Sequence, residues 1–593
     1  RNLLRKLLVE NVLVFIHEKV MRLSVLDPAM GSGHFLVNAT NYLSNAVTEI
    51  LNELAIEDRL ESSTTYWRRW IVENCIYGVD LNPLAVELAK LSLWILSMAK
   101  NLPLSFTNHH LKCGNSLVGA SLGDIGNYPF SKKNRDPRQL NLFGQDPDFK
   151  AAVEEVISKS RLIATNASSN LENVKEKKAW LDEIEQILNG YKAICDVHTG
   201  LYFGNLIEEA QYTEMVQKKD FNAAKALTLS NQYFHWELEF PEVWFGNGGF
   251  SCIVCNPPYD TFKESAFFLK EEGAGTGNLF GHFIVKAKDI NQLSGTIGFV
   301  VPLSLACGDS FNNVRIALYT NYEILLASHY SIRPAKLFPN VDQRITLFVA
   351  KNRGYFSRCN VYSSRLWRFN YGREKDVVNH PLLGHVGAIK SGLIPKTAGN
   401  IGAEIYNKIL SAPDTLGSLI NKTGKRSAFY HSAARYWIKA YDFTPFFSRE
   451  GESDPGKSTK LKELPFESEF EKNVFILLVN SSLFYYWWMV VGDEFDVLRS
   501  EINEFHLPLE SFYSHKDEVT NLVSMLMKDY KENAIRKNAN VGNVRIAYDE
   551  FYPRKSLRII SEIDALIADL YGLSDLEAKF VSTYDHEFRT DNE

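Results

Sequence analysis

A chain of 593 residues with 45% hydrophobic and 12% aromatic side chains has enough apolar surface for several packed cores, which predicts three or four globular domains. Its net charge of −6 excludes a global basic field, so a nucleic-acid partner would need a local basic patch. The apolar run around Leu483 to Val491 is too short to span a bilayer and no signal peptide is visible, so no membrane partner is expected. Seven cysteines without framework spacing fit a reducing cytoplasm. The first residue is Arg1 and not Met, which leads us to expect that a longer natural protein has lost its N-terminus.

Residues 1–22 read as a helix, with Leu3, Leu7, Leu8, Val12 and Phe15 at helical spacing, and lead into the apolar strand Leu23–Leu26. Asp27-Pro28-Ala29-Met30-Gly31-Ser32-Gly33 follows. Gly31 and Gly33 permit a tight turn, and a helix from about His34 to Ala55 presents free N–H groups at its start. Strand, glycine loop and helix N-terminus together form a cradle for a nucleotide-like ligand. A lone GxG is a weak signal, and both the lysine of a P-loop and the third glycine of a dinucleotide fingerprint are missing.

The next strand, Cys75–Asp80, precedes Asn82-Pro83 and a helix through Met98. Asp80 closes its strand where an acid can bind a ribose diol; the competing reading is a helix cap. Asn82 fits the cap better, which leaves Asp80 free. His110–Leu117 is a third apolar stretch ending on a polar residue, Asn115, beside Gly114. Three such units predict a doubly wound sheet.

Residues 120–249 change in character. Asn127–Asp148 is loop-like, and charged helical stretches at about 149–164 and 168–194 read as an inserted helical arm. Gly248–Tyr259 then reads as a buried strand stopped by two prolines, ending on Asn256-Pro257-Pro258-Tyr259. An amide, a free carbonyl and a tyrosine ring at a strand's C-terminal end suit a planar, amine-bearing ring; a plain Pro-Pro turn is the competing reading. Cys252 and Cys255 lie on opposite faces of that strand and cannot grip one metal.

Further elements follow: a helix Asn278–Leu293, a strand Gly295–Pro302, a helix Asp309–Tyr319, and strands Glu323–His329 and Arg344–Ala350 that suggest an antiparallel edge. Phe338, in the loop between the last two, is either a second aromatic wall or a core residue. Residues 352–385 read as a connector. Between Asn421 and Tyr441, Lys422, Lys425, Arg426, Arg435 and Lys439 alternate with Phe429, Tyr430, Tyr436 and Trp437. Such a stretch can neutralise phosphates while rings and forks reach bases, or it is a solvated hairpin with a half-buried aromatic face. Asn473–Val491 reads as one apolar helix, and about 515–590 as largely helical.

The ordered set DPAMGSGHF, GVDLNP, CGNSL, NPPY, GFVVP and LFPN resembles the adenine-specific, S-adenosylmethionine-dependent DNA methyltransferases of restriction–modification and phage-defence systems. HWELEFPEV at 235–243 and LIADLYGL at 566–573 resemble the large restriction-enzyme members. The resemblance implies an α/β fold: a doubly wound, Rossmann-like methyltransferase sheet with a helical insertion, an α+β target-recognition region and a helical tail. The expected segments are a catalytic domain at residues 1–119 and 250–352, the arm at 120–249, a connector at 353–385, target recognition at 386–514 and a helical region at 515–593.

By the same resemblance Asp27, Ala29, Gly31 and Gly33 surround the cofactor's methionine part, Asp80 its ribose, and Asn115 its adenine or ribose neighbourhood. Asn256 and the Pro257 carbonyl, in the Asn256-Pro257-Pro258-Tyr259 tip, accept hydrogen bonds from the target adenine's N6 amine, and Tyr259 and Phe338 stack on the flipped base. No metal is required. Double-stranded DNA is the expected partner, with further restriction or defence subunits possible. One departure is that no Tyr-Thr-Pro segment precedes the first strand, which suggests upstream truncation with loss of any nuclease domain. The alternatives are a specificity subunit with a vestigial cofactor site and a protein-glutamine methyltransferase.

Overall fold

The computed structural model describes residues 14–16, 18–20, 22–53, 63–131, 146–228, 232–270, 275–352, 358–387, 392–434, 436–450, 456–542 and 544–590. The helix expected over 1–22 lies largely outside them. The chain divides into two compact units, one formed by residues 1–301, 316–325 and 347–359, the other by 302–315, 326–346 and 360–593.

The first unit is built on β1 (Val25–Asp27), β2 (Ile76–Asp80), β3 (Leu111–Cys113), β4 (Phe250–Cys255), β5 (Asn291–Pro302) and β7 (Ile345–Lys351), in the order β3-β2-β1-β4-β5-β7. The pairs β1/β2, β2/β3, β1/β4 and β4/β5 are all parallel. Val25, Leu26, Ile76, Val79 and Ile253 are buried, as central parallel strands covered on both faces require. The chain crosses outward from β1 to β2 and β3 on one side and to β4 and β5 on the other. The C-terminal ends of β1 and β4 therefore meet at a topological switch point, where open α/β sheets bind ligands.

Helices α1 (His34–Glu53), α2 (Thr64–Asn74) and α3 (Pro83–Ser97) connect the first strands. Asn82 caps α3, its Oδ1 accepting from Leu84 N at 3.0 Å with Pro83 in the first turn. Strand β5 starts at Asn291, four residues ahead of the expected Gly295. The Asn291 side chain donates to Phe250 O at 2.9 Å beside a register shift in β4, so a polar residue that reads as the end of a helix instead closes a bulge.

Between β3 and β4, α4 (Pro147–Thr165), α5 (Leu171–Gly200), α6 (Glu209–Lys218) and α7 (Phe221–Leu227) enclose their own core, including Val156, Ile163, Leu188, Ile194 and Val197. Glu73 of α2 lies buried against α5, accepting from Lys177 Nζ at 2.9 Å and from Ser168 Oγ at 2.8 Å.

The second unit carries β6 (Ile324–Tyr330, shared at its start with the first), β8 (Asn360–Trp367) and β9 (Gly384–His385) in the order β6-β8-β9. Strand β6 is therefore not an edge, and the span expected to be a connector contributes two strands. Ser363 and Ser364 disguised β8: both are buried, and their hydroxyls satisfy His329, whose ring lies 3.0 Å from Ser363 Oγ and 3.0 Å from Thr346 Oγ1 while its N–H donates to Ser364 at 3.1 Å. Burial holds this histidine well below its ordinary pKa.

Strand β10 (Arg426–His431) pairs antiparallel with Leu461–Phe466. The single helix expected over Asn473–Val491 is two helices, α8 (Glu469–Val479) and α9 (Ser482–Val491), bent by 68°. Ser481 caps the second by accepting from Phe484 N at 3.1 Å, while Asn480 donates back to Ile476 O and across to Ala440 O. Among the described residues no single helix is long and apolar enough to cross a membrane. The tail is not wholly helical either. Strand β11 (Phe447–Arg449) joins a hairpin of β12 (Ile535–Val541) and β13 (Val544–Glu550), which lies between α10 (Lys516–Asn533) and α11 (Leu557–Leu570).

Removing one partner of a buried ion pair strands the other. Lys177→Ala is expected to lower stability by about 3 kcal/mol, read as a lower urea midpoint at unchanged slope. An unchanged midpoint would show that the Glu73 contact contributes nothing to holding α5.

Candidate active site

Parallel pairing brings four chain-distant residues to the same rim. Asp27 ends β1, Asp80 ends β2, Asn115 follows β3 by two residues and Asn256 follows β4 by one. The registers Asp27↔Gly78 and Asp80↔Cys113 fix the first three side by side.

The glycine loop is shaped from both sides. Gly31 and Gly33 have φ of +52° and +83°, which L side chains rarely adopt. A Cβ on Gly33 would sit 3.1 Å from Ala89 Cβ of α3, whereas one on Gly31 would point into open space. Gly31 N donates to Asp80 Oδ2 at 2.9 Å and Asn82 N donates to Asp80 Oδ1 at 2.8 Å. Asp80 is thus not free, as the sequence suggested, because it ties the first loop to the second. Each oxygen retains a lone pair for a diol.

Asp27 is 1% exposed, and its Oδ1 accepts from Ala29 N at 3.1 Å. Burial pushes its carboxyl up to about 7, opposed by the Ala29 N–H, reinforced by the negative charge of Asp80 and opposed again by the Cys255 thiol. Among the described residues no Lys or Arg pairs with it. A buried carboxyl that lacks a cation fits a ligand that brings one, such as the ammonium of an amino acid.

Asn115 Oδ1 accepts from Leu117 N at 3.1 Å, and its backbone N–H donates to Gln232 O at 2.9 Å. The loop is crowded: a Cβ on Gly114 would lie 2.5 Å from the Phe234 ring, and Trp236 Nε1 donates to Ser116 O at 3.0 Å. Ser116 Oγ in turn donates to Pro28 O at 2.5 Å. The segment 232–236 therefore buttresses the loop after β3 directly and the loop after β1 through Ser116, a role that its distance in sequence concealed.

At the tip of β4, Asn256 and Pro258 are exposed, Pro257 is buried and Tyr259 is half-buried. The Tyr259 hydroxyl lies 2.9 Å from Asn256 Oδ1 and 3.2 Å from Val300 O. Burial pushes the phenol up to about 12, with Cys255 adding to the shift, so it stays a donor at neutral pH and orients the amide with its oxygen toward the ring. The sequence did not single out Asn278. Its Oδ1 accepts from Phe280 N at 3.2 Å to cap the helix Leu279–Ile290, and its Nδ2 donates to Tyr259 O at 2.9 Å. A capping asparagine ahead of an apolar helix was the available signal.

In the second unit, Phe338 is 40% exposed in the loop between β6 and β7. Lys422, Lys425 and Arg426 are exposed at the start of β10. Lys439 donates to Phe551 O at 3.2 Å, and Arg435 lies outside the described residues. Phe429, Tyr430 and Trp437 are buried, so the stretch divides into an exposed basic turn and core rings. Among the described residues no three His, Cys, Asp or Glu side chains gather as a metal site.

The family model for the Eco57I restriction-modification methylase matches residues 74–338, and that for the MmeI DNA-methyltransferase domain matches residues 5–117. A putative type II restriction enzyme and methyltransferase of Methanocaldococcus jannaschii, RM.MjaORFECS2P, is 26% identical over 346 residues, 51% of this chain and 28% of that protein. The chain thus spans about a quarter of this relative's length. Among solved structures, the Type IIL restriction-modification enzyme MmeI in complex with DNA matches over 98% of this chain and 74% of that one, at 11% identity and a TM-score of 0.42. The DNA-bound Type ISP enzyme LlaBIII matches over 96% and 44%, at 9% identity and a TM-score of 0.39.

A carboxyl whose folded pKa is raised costs stability above its ordinary value. Between pH 3.8 and about 7 the unfolded chain ionises while folded Asp27 keeps its proton, so stability falls across that window and the full penalty, about 4 kcal/mol at most, stands above it. Asp27→Asn is therefore expected to stabilise the ligand-free protein at pH 8 and to leave it unchanged near pH 3.5, as urea midpoints across pH would show.

Proposed function

We propose, for a chain whose residues 5–338 belong to the restriction–modification DNA methyltransferase family, that it moves a methyl group from S-adenosylmethionine to the exocyclic N6 amine of an adenine rotated out of a DNA duplex. The observation that carries this reading is the exposed Asn256 amide at the switch point, with its oxygen held by the Tyr259 hydroxyl at 2.9 Å.

An adenine amine is a poor nucleophile because its lone pair is delocalised into the ring. Asn256 Oδ1 and the Pro257 carbonyl accept from its two N–H bonds, which favours a pyramidal nitrogen as the N–C bond forms, and preorganised acceptors of this kind stabilise the transition state more than the ground state. S-adenosylmethionine supplies an electrophilic methyl sulfonium whose leaving group is a neutral thioether, so the displacement needs no metal. The surplus amine proton passes to solvent. Flipping the base costs a few kcal/mol, which stacking on Tyr259 offsets.

On the cofactor side, Asp27 receives the ammonium that its buried carboxylate lacks, Asp80 the ribose diol and Asn115 the adenine neighbourhood, while Ala29, Gly31 and Gly33 let the backbone approach the methionine part. Double-stranded DNA is held with the help of Lys422, Lys425 and Arg426, and residues 386–514 take part in target recognition.

Incubating the full chain with unmethylated DNA and cofactor, then analysing nucleosides by mass spectrometry, is expected to reveal N6-methyladenine; methylated cytosine in its place would overturn the assignment. Asn256→Ala should slow single-turnover transfer by about a hundredfold or more while duplex and cofactor affinity stay constant. Tyr259→Phe, losing one hydrogen bond and keeping the ring, should slow it by only about fivefold.

The basic turn has its own test. Lys422→Ala with Lys425→Ala should lower the slope of log affinity against log salt by about one unit for each phosphate that is no longer neutralised. An unchanged slope would return the turn to plain solvated surface.

A further inference from the structure

The hairpin β12–β13 has features that the methyl-transfer reading does not use. Its strands pair in continuous antiparallel register from Ile535↔Glu550 to Val541↔Val544, yet none of its residues whose exposure is described is buried. An isolated two-stranded ribbon is marginal in water, and here β11 runs alongside β13 from Asp549 to Arg545, making a three-stranded sheet with β13 at its centre. Strand β11 pairs with β13 over Phe447–Arg449. Arg536 Nε lies 2.5 Å from Asp549 and its guanidinium sits 3.5 Å from the centre of the Phe446 ring, while Lys537 pairs with Glu550.

Directly paired residues of an antiparallel ladder share a face. One face thus carries Arg536/Asp549, Asn538/Ala547 and Asn540/Arg545, and the other carries Ile535, Lys537, Ala539, Val544, Ile546, Tyr548 and Glu550. On the polar face the basal cation is neutralised. Toward the distal end, Asn538, Asn540 and Arg545 are exposed, and with Glu450 they line an open concavity of about 570 Å³. Among the described residues Arg545 has no ion-pair partner.

We propose that the polar face of this sheet lies against the major groove of duplex DNA and that Asn538, Asn540 and Arg545 read base edges there, which makes them specificity-determining residues. The inference rests on DNA being the substrate. The side chains that read the major groove best are planar forks: Asn on adenine, Arg on guanine, with Glu accepting from cytosine. Those are the groups gathered at the distal end of this face, on a backbone whose alternation keeps them in one row. The cations that would only attract phosphate, Arg536 and Lys537, are instead paired at the base.

The test is methylation of a randomised duplex library by the full chain, with the methylated sequences read out to give the discrimination at each position of the site. Arg545→Ala and Asn540→Ala are each expected to relax preference at one base pair by about tenfold to a hundredfold, with cofactor affinity unchanged. Arg545→Lys separates readout from charge, since it keeps the cation and loses the fork. Relaxation by Arg545→Lys equal to that of Arg545→Ala supports base reading. A wild-type pattern in Arg545→Lys, with Arg545→Ala weakening all sequences alike and lowering the salt slope by about one, identifies a phosphate contact and overturns the proposal. Variants that match the wild type throughout overturn it too, leaving the methyltransferase reading intact; a wild-type chain that methylates no DNA defeats that reading first. All three residues are exposed, and thermal unfolding confirms that each variant folds.

Discussion

The Asp80 carboxylate holds the candidate site in shape. One oxygen receives the N–H of Gly31 and the other that of Asn82, so a single side chain at the end of β2 sets both the turn after β1 and the start of the helix after β2. Two backbone donors that would otherwise face solvent at helix entries are satisfied. The glycine loop can then run with positive φ at two positions and still present a defined surface, with Gly33 pressed onto Ala89 and Gly31 facing open space. Without that bridge the loop would keep only the Met30 and Gly33 backbone bonds and the bonds of Ala29 N to Asp27 and of Ser116 Oγ to Pro28 O.

Asp27 shows the cost of such a site. The most buried carboxyl of the rim has an acceptor role toward Ala29, a thiol neighbour in Cys255 and a like charge nearby in Asp80, so the ligand-free fold favours its neutral form. A sequence selected only for stability would place an apolar residue or an amide there. Retaining an acid at the centre of a buried parallel sheet is understandable when binding supplies the missing cation, because the binding energy then includes relief of a penalty already present in the protein.

The sequence made the rim legible because its residues are punctuation: Gly31, Gly33, Asn82-Pro83 and Pro257-Pro258 break apolar strands in ways that only backbone geometry explains. The strands β1, β2 and β4 and the cap at Asn82 followed from that. Polar residues with long-range partners were not legible. Ser363 and Ser364 read as connector because their partner, His329, lies some thirty-five residues away, and Asn480-Ser481 vanished inside an apolar run although they bend it by 68°. Asp80 was misjudged for a related reason: its proximity to Gly31 depends on the β1/β2 register, which no local pattern encodes.

The second unit shows the same limit in reverse. Rings and charges between residues 421 and 441 look like a single mixed surface in one dimension, but burial sorts them, sending Phe429, Tyr430 and Trp437 into the core and leaving Lys422, Lys425 and Arg426 outside. The hairpin at 535–550 looks like part of a charged helical tail until its alternation is read with period two; then every second residue from Arg536 to Asn540 falls on one polar face. A turn rich in lysine and arginine attracts any duplex, whereas a row of planar amides and a guanidinium discriminates among sequences. If both proposals hold, the unit keeps the two tasks on different elements, so that the affinity of one can change without altering what the other reads.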